Sequence, residues 1–389
     1  MKNENLATTL KKNAMLIILV LVYLFFAILT RGGIFSPSSF TELINQNAYV
    51  YILGAGMLMC MLTGGNIDLS CGSFVCLLGA FGGVFMIVNG MSTGLSIVLL
   101  LLIGLAYGSL LGFLIAYVHI PPWIATLAGY LAFRGLGTSI LSANSKTGSL
   151  APFPDNFRVI FYGRIFPSEK GTLNLPCFLA GLAAAAIVII VIFMNRRSRL
   201  AKGYEADTVK AAAIKSGIGA AAIILVMTQL SLDGGIPTTL LWVAGIILVY
   251  SFITSKTTIG RHFYIVGGNI EAARLSGVNT RRVMFIAYLN MAVLTTLATF
   301  TVVARSQSAY ADVGKNFEMD AISACVVGGV SASGGAGTVL GMVIGATLIG
   351  VINLGMSLIS LDANYQRVVK GFVLLAAVVF DILSKKKDR

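Results

Sequence analysis

Charge is scarce in this 389-residue chain: 11% of residues are Asp, Glu, Lys or Arg, against 57% hydrophobic. A soluble fold would have too little polar surface to cover so much apolar side chain. Histidine is almost missing, with only His119 and His262, so a zinc centre or a Ser-His pair has little to draw on. No G-x-x-x-x-G-K-[ST] phosphate loop occurs, because the lysines that precede Ser or Thr (Lys146, Lys215, Lys256) do not follow a glycine. No apolar run carries a ladder of acids and bases of the kind a proton relay needs. The five cysteines (Cys60, Cys71, Cys76, Cys177, Cys325) lie in or beside apolar segments without metal-ligand spacing, which predicts packing residues and no disulfides. These absences leave no assigned catalytic residue, no metal site and no cofactor of the chain's own.

What is present is a succession of apolar runs of membrane-spanning length. They are expected at 14–30, 48–63, 70–88, 94–118, 122–142, 175–194, 212–230, 237–255, 283–304, 319–333, 337–358 and 367–384, giving an all-α polytopic membrane protein of about twelve helices. The spans 122–142 and 319–333 are the ones expected to be broken or re-entrant. Lys2, Lys11 and Lys12 precede the first run without a small-residue cleavage site, so that run reads as a retained span. The net charge of +13 does not point to nucleic acid, since the basic residues sit at span ends. A cytoplasmic N-terminus puts eighteen of the twenty-eight inside: three at the N-terminus, five in 195–210, Lys215, five in 256–282 and four at the C-terminus. Nine fall outside and Arg134 lies within a span. That bias predicts both termini in the cytoplasm and 143–174 as the main extracytoplasmic loop.

Three features interrupt the apolar pattern. The first is Ile265 to Val283, where Asn269 is placed to cap a short helix with Glu271 in its first turn, Arg274 near its end and Gly277 to terminate it. Asn279 and Thr280 offer a second cap before the next run. An ordinary structured connector would share these traits, and so would a loop built for contact with a partner. The second feature is Gly64-Gly65-Asn66-Ile67-Asp68, a break that survives at membrane depth only inside protein or beside water. Asn66, Asp68 and Asp320 are the candidate translocation-path residues, and Asp68 and Asp320 read equally as helix caps. The third is glycine at four-residue spacing: Gly104, Gly108 and Gly112 follow Asp68, and Gly337, Gly341 and Gly345 follow Asp320. Such stripes predict close helix packing. The two copies run in opposite senses through the expected topology, which predicts an inverted repeat.

The stretches TGGNIDLSCGS (63–73), PPWIATLAG (121–129), VGGNIEAARLSGV (266–278) and MDAISACVVGGVSASGGAGTVLG (319–341) together resemble the permease subunits of bacterial monosaccharide ABC importers, the ribose, xylose and galactose class. An extra helix pair in 175–230 makes the xylose and multiple-sugar branch the nearest resemblance. This resemblance implies a single permease domain over 1–389, without catalysis, in the inner membrane of a bacterium. It implies a ten-helix core plus the extra pair, and a second permease copy, giving a homodimer in membrane lipid. It also implies an extracytoplasmic sugar-binding protein and a cytoplasmic ATPase that binds the ATP. The ATPase would dock on 256–282 through Gly267, Gly268, Asn269, Glu271, Ala272, Ala273, Arg274, Leu275, Ser276 and Gly277. The alternative is a stand-alone sugar facilitator or secondary transporter.

Overall fold

A computed structural model describes residues 14–206 and 208–387. The expectations that rest on Lys2, Lys11, Lys12 and Arg389 lie outside the described residues. In chain order the helices are α1 (Ala14–Leu29), α2 (Pro37–Leu62), α3 (Cys71–Gly83, continued by a π-helical turn to Val88), α4 (Thr93–Ala116), α5 (Pro122–Asn144), α6 (Asp155–Tyr162), α7 (Leu175–Ala201) and α8 (Val209–Leu232). They continue with α9 (Thr238–Lys256), α10 (Thr258–Gly268), α11 (Ile270–Leu275), α12 (Thr280–Ser306), α13 (Phe317–Val327), α14 (Val339–Leu358) and α15 (Ala363–Lys387). Strands are confined to β1 (Ser149–Leu150), β2 (Arg164–Ile165), β3 (Ile236–Pro237) and β4 (Ala309–Tyr310) among the described residues.

Among the described residues, eight helices are long and apolar enough to cross a membrane: α3 with its π turn, α4, α5, α7, α8, α9, α12 and α14. The chain is thus the all-α polytopic membrane protein its composition predicts. Three spans differ in detail from expectation, and a fourth, 319–333, is broken as expected. Helix α2 starts well before residue 48, because the Ser36 side chain accepts from Ser39 N and Pro37 occupies the first turn. Its Asn45-Gln46-Asn47 segment depresses hydropathy without ending the helix. Helix α5 is unbroken, since Pro122 stands at its first position, where no backbone N–H is needed. Helix α7 runs on to Ala201, carrying Arg196, Arg197 and Arg199 past its apolar part. The run at 319–333 is broken: α13 has eleven residues and ends at Gly328-Gly329. At 1.5 Å per residue it is roughly 16 Å long, half a bilayer.

Helix α2 is the centre, buried continuously from Val50 to Leu62. In lipid, apolar burial does not drive helices together, so close fit and polar contacts must. Gly54 lets Met342 of α14 approach and Gly56 admits Met291 of α12, where an added Cβ would stand 2.9 and 2.6 Å from the sulfurs. Asn47 donates to the Ala346 carbonyl at 2.7 Å, and Tyr51 and Thr347 share a 2.9 Å hydrogen bond. The contacts are reciprocal around this centre. Helix α4 packs on α12 as α14 packs on α2, and α3 meets α12 as α13 meets α2, while α2 and α12 touch each other. Exchange of partners between 37–144 and 280–387 is the pattern an inverted repeat requires.

Both repeats contain a helix that starts half-way through the bundle. Ser70, just before α3, bonds Tyr107 at 2.6 Å, and Tyr107 lies nine residues, roughly 14 Å, from the end of α4. The start of α13 reaches the same level, for a Cβ on Gly72 would overlap the Glu318 carboxylate and the Gly314 carbonyl. From there the two helices diverge. Helix α3 runs to Gly83, where a Cβ would stand 2.8 Å from Leu150 in the loop 143–174, and α13 runs to the opposite face. Arg134 belongs to this level too. Its Nη1 donates at 2.8 Å to the carbonyls of Ala311 and Val313, in the segment that leads down into α13.

One face of the bundle is tied by two short strand pairs, β1 with β4 and β2 with β3. They join the loop 143–174 to the segments after α12 and α8. Phe157 and Phe161 of α6 pack on Phe300 of α12, at centroid distances of 6.0 and 5.0 Å, which pins the loop to the core. Asp233 anchors the turn between α8 and α9, pairing with Arg164 at 2.7 Å and Lys170 at 3.1 Å. Burial would raise its pKa, but hydrogen bonds from Arg164, Thr41 and Lys170 outweigh it and hold the carboxyl below the usual range. Helices α7 and α8 pack on each other and reach the centre through α8 against α2.

Two outcomes are expected. A Cβ on Gly108 would lie 2.8 Å from Ala292 Cβ and 2.9 Å from Leu289 Cα, whereas Gly135 has nothing within 4 Å. Gly108→Leu should therefore lower the detergent melting temperature, at a cost of about 1–3 kcal/mol or more, and Gly135→Leu should not. Equal melting of the two variants would contradict the packing. For Asp233, a depressed folded-state pKa means its stabilisation is complete above about pH 3.9 and is lost as pH falls through the lower folded value. Asp233→Asn should cost about 1–3 kcal/mol at neutral pH and flatten the acid limb of a melting-temperature profile.

Candidate functional site

The glycines mark where backbones touch. On the face opposite the strand pairs, α2 ends at Leu62 and three glycine pairs converge: Gly64-Gly65, Gly267-Gly268 and Gly334-Gly335. Gly335 N donates to the Leu62 carbonyl at 3.1 Å. A Cβ on Gly267 would overlap that same carbonyl, and one on Gly65 would overlap the Ala332 carbonyl. A Cβ on Gly334 would lie 2.4–2.5 Å from Gly64, and one on Gly335 2.8 Å from Gly268 N. Gly64, Gly65, Gly334 and Gly335 also hold positive φ, which side chains disfavour. Tyr264 of α10 adds a hydrogen bond to the Gly337 carbonyl at 2.9 Å. The break after α2, the break after α13 and the end of α10 thus form one junction.

The stretch from Gly267 to Gly277 hangs from it. Asn269 caps α11 by accepting from Ala272 N at 3.0 Å, and Gly277, at φ +82°, ends it. Asn279 then caps α12 by accepting from Arg282 N at 2.9 Å. Within the six-residue α11, Ala273 is fully buried while Leu275 is 84% exposed. Ala272 lends its amide to the cap, and Ser276 closes the helix with its amide on the Ala272 carbonyl. Glu271 and Arg274 pair at 3.5 Å, both about 70% exposed, an arrangement worth about 0.2–0.5 kcal/mol. So weak a pair leaves both charges to the solvent side. Sequence reasoning missed α10 before it. Its signal was there, in the Thr257 cap and in Ile259, Phe263 and Val266 at helical spacing, of which the last two are buried.

The path residues separate. Asn66 donates to Thr63, at 3.2 Å to both its carbonyl and its hydroxyl, and Asp68 accepts from the Ser70 amide at 2.8 Å and hydroxyl at 2.6 Å. Both close the turn that leads into α3. Asp320 does something else. Its carboxylate accepts from Tyr49 of α2 at 2.6 Å and pairs with Lys370 of α15 at 3.0 Å, so it is an interhelical ion pair and not a helix cap. Phe317 stacks on Tyr49 with centroids 3.7 Å apart. Beside this cluster is a cavity of about 400 Å³ bordered by α13 and α15. Lys370 was assigned outside from the sequence, but it lies seven residues, roughly 10 Å, into α15. A lone lysine inside an apolar run was the signal that marks it.

The glycine stripes also separate. A Cβ on Gly104 would overlap the Thr296 hydroxyl, and one on Gly112 would stand 2.9 Å from the Phe285 carbonyl, so with Gly108 the first stripe lies along α12. Gly341 and Gly345 lie against α13, where a Cβ would overlap the carbonyls of Gly328 and Ala324. Gly337 is not helical; it precedes α14, with φ +150°. No cluster of three or more His, Cys, Asp or Glu that could hold a metal occurs among the described residues.

Residues 39–378 match the family described as branched-chain amino acid transport system / permease component. The chain is 34% identical to the xylose transport system permease protein XylH of Haemophilus influenzae over 96% of each chain. It is 31% identical to the protein of that name in Escherichia coli K12, over 96% of this chain and 92% of that one. The ribose import permease protein RbsC of Bacillus subtilis is 30% identical over 89% of this chain and 85% of its own. No solved structure matches.

The junction carries its own test. Gly267→Ala has no room and should destabilise the protein by about 1–3 kcal/mol, while Gly268→Ala, with nothing within 4 Å, should melt as the wild type. Identical thermal melts would mean that the three backbones do not meet there.

Proposed function

Since the chain belongs to the family of transport-system permease components, we propose that it is the membrane subunit of a binding-protein-dependent importer for a monosaccharide, xylose or a related aldose, driven by a separate ATPase. The two groups of relatives, named for xylose and ribose, support the sugar class. The chain's own chemistry fits a subunit that leaves ATP to a partner, as it has no phosphate loop. The orientation puts the glycine junction in the cytoplasm and the strand-paired loops outside, supported by the eighteen-to-nine basic bias. Two copies in the lipid would surround the path, and a sugar-binding protein would settle on the outer loops.

The observation that carries the coupling role is the place of α11. A short helix, capped at both ends and exposed at Glu271, Arg274 and Leu275, is joined on one side to the junction of both broken segments. On the other side it leads directly into α12. A partner that pushes on α11 therefore moves the central pair α2 and α12 without an intervening flexible linker.

In vesicles holding the permease, its ATPase and its binding protein, the wild type should take up radiolabelled xylose or ribose with ATP. Gly277→Pro should abolish left-handed termination of α11 and cut uptake at least tenfold. The double variant Glu271→Ala with Arg274→Ala should lose sugar-stimulated ATP hydrolysis while the permease stays folded. Normal uptake by both, at normal subunit ratio, would remove the coupling role. Uptake by the permease alone, without ATPase, would replace the importer with a facilitator.

A further inference from the structure

The intramembrane ion pair and its cavity are not explained by packing alone. Asp320 is buried at the start of the half-length helix α13, and a lone carboxylate there would be costly. Lys370 and the Tyr49 hydroxyl compensate it. Yet the same cluster borders open space of about 400 Å³, into which Asn316, Ser323, Gln366 and Arg367 also face. A hydrophobic plug would have closed the gap at lower cost. A polar cavity of this size cannot open onto hydrocarbon, so it holds water or a polar ligand. Its walls carry donors and acceptors together: a carboxylate, amides, a hydroxyl and the three cations Lys315, Arg367 and Lys370. That mixture suits a neutral polyhydroxylated molecule, whose hydroxyls both give and accept hydrogen bonds. A site built only for an anion would not place a buried carboxylate at its centre. The apolar stems of Met319 and Leu374 line the rest, as the C–H faces of a sugar ring require.

Resting on the importer reading, we propose that the cavity between α13 and α15 is a monosaccharide-binding station half-way through the membrane, with Asp320 accepting from sugar hydroxyls and Lys370 and Gln366 donating. The ion pair serves the empty state: Lys370 covers the carboxylate until a hydroxyl competes for it. The site lies within the second repeat, at the level where α3 and α13 begin, and Tyr49 of the first repeat reaches its carboxylate.

The test uses the full-length permease in nanodiscs with D-xylose and D-ribose at millimolar concentration, read by saturation-transfer NMR, and the complete importer in vesicles for uptake. Ser323→Leu fills the cavity without touching the ion pair, and Asp320→Asn keeps the shape while removing the charge. Both should abolish the saturation-transfer signal and slow uptake at least tenfold, with Ser323→Leu melting close to wild type. A wild-type signal and wild-type uptake in Ser323→Leu would overturn the station. A loss confined to Asp320→Asn, together with a lower melting temperature, would also overturn it, leaving only a structural latch. A defect that appears in anionic vesicles and vanishes in zwitterionic ones would mean that the headgroup of an anionic lipid occupies the cavity, and would overturn the station. Failure of the wild-type assembly to import any monosaccharide would instead remove the importer reading itself, a result visible before any variant is made.

Discussion

Buried irregular backbone must find its hydrogen bonds within the protein, and this chain solves that problem by pressing three glycine-rich segments against one another. The Gly335 amide on the Leu62 carbonyl, with Gly267 wedged beside it, is the tightest point of the structure. Because the contact is backbone to backbone, no rotamer change can relieve a substitution there. It holds the end of the central helix, the lower end of a half-helix and the root of α11 in a fixed relation. A displacement of any one must be felt by the other two.

Above that junction the architecture is reciprocal. Helices α2 and α12 form the centre, and each repeat lays its half-helix and its glycine-bearing helix on the other repeat's centre. This arrangement leaves α3 and α13 starting together and running apart. The outer strand pairs and the aromatic contacts of α6 then tie the long loop down onto α12. Force applied at the α11 end of α12 is thereby delivered to the strand-paired loops through one continuous helix.

Much of this was legible in the sequence because apolar length and helix punctuation are local signals. The Asn269, Gly277 and Asn279 pattern gave α11 and the start of α12 residue by residue. The break at 64–68 was visible as a lapse in the apolar pattern, and the run at 319–333 was expected to be broken or re-entrant. What escaped was whatever depends on partners distant in sequence. Asn45 and Asn47 hid the first turns of α2, since hydropathy cannot tell that Asn47 will meet the Ala346 carbonyl. Asp320 looked like a helix cap, because Tyr49 and Lys370 are 271 and 50 residues away. Gly337 continued a four-residue spacing that the chain uses for a bend and not for a helix face.

The order of the charged residues along the chain bears on how the protein is made. Tyr49 and Asp320 are synthesised before Lys370. A lysine near the middle of an inserting helix costs roughly 2.5–3.5 kcal/mol when nothing receives it. Here the receiving carboxylate is already in the membrane when α15 emerges, so that cost can be met during insertion. Asp320, by contrast, waits unpaired until its partner arrives. The nascent chain therefore passes through a stage in which one helix remains to be recruited and a buried acid is what recruits it. Biogenesis of this bundle closes with an electrostatic capture.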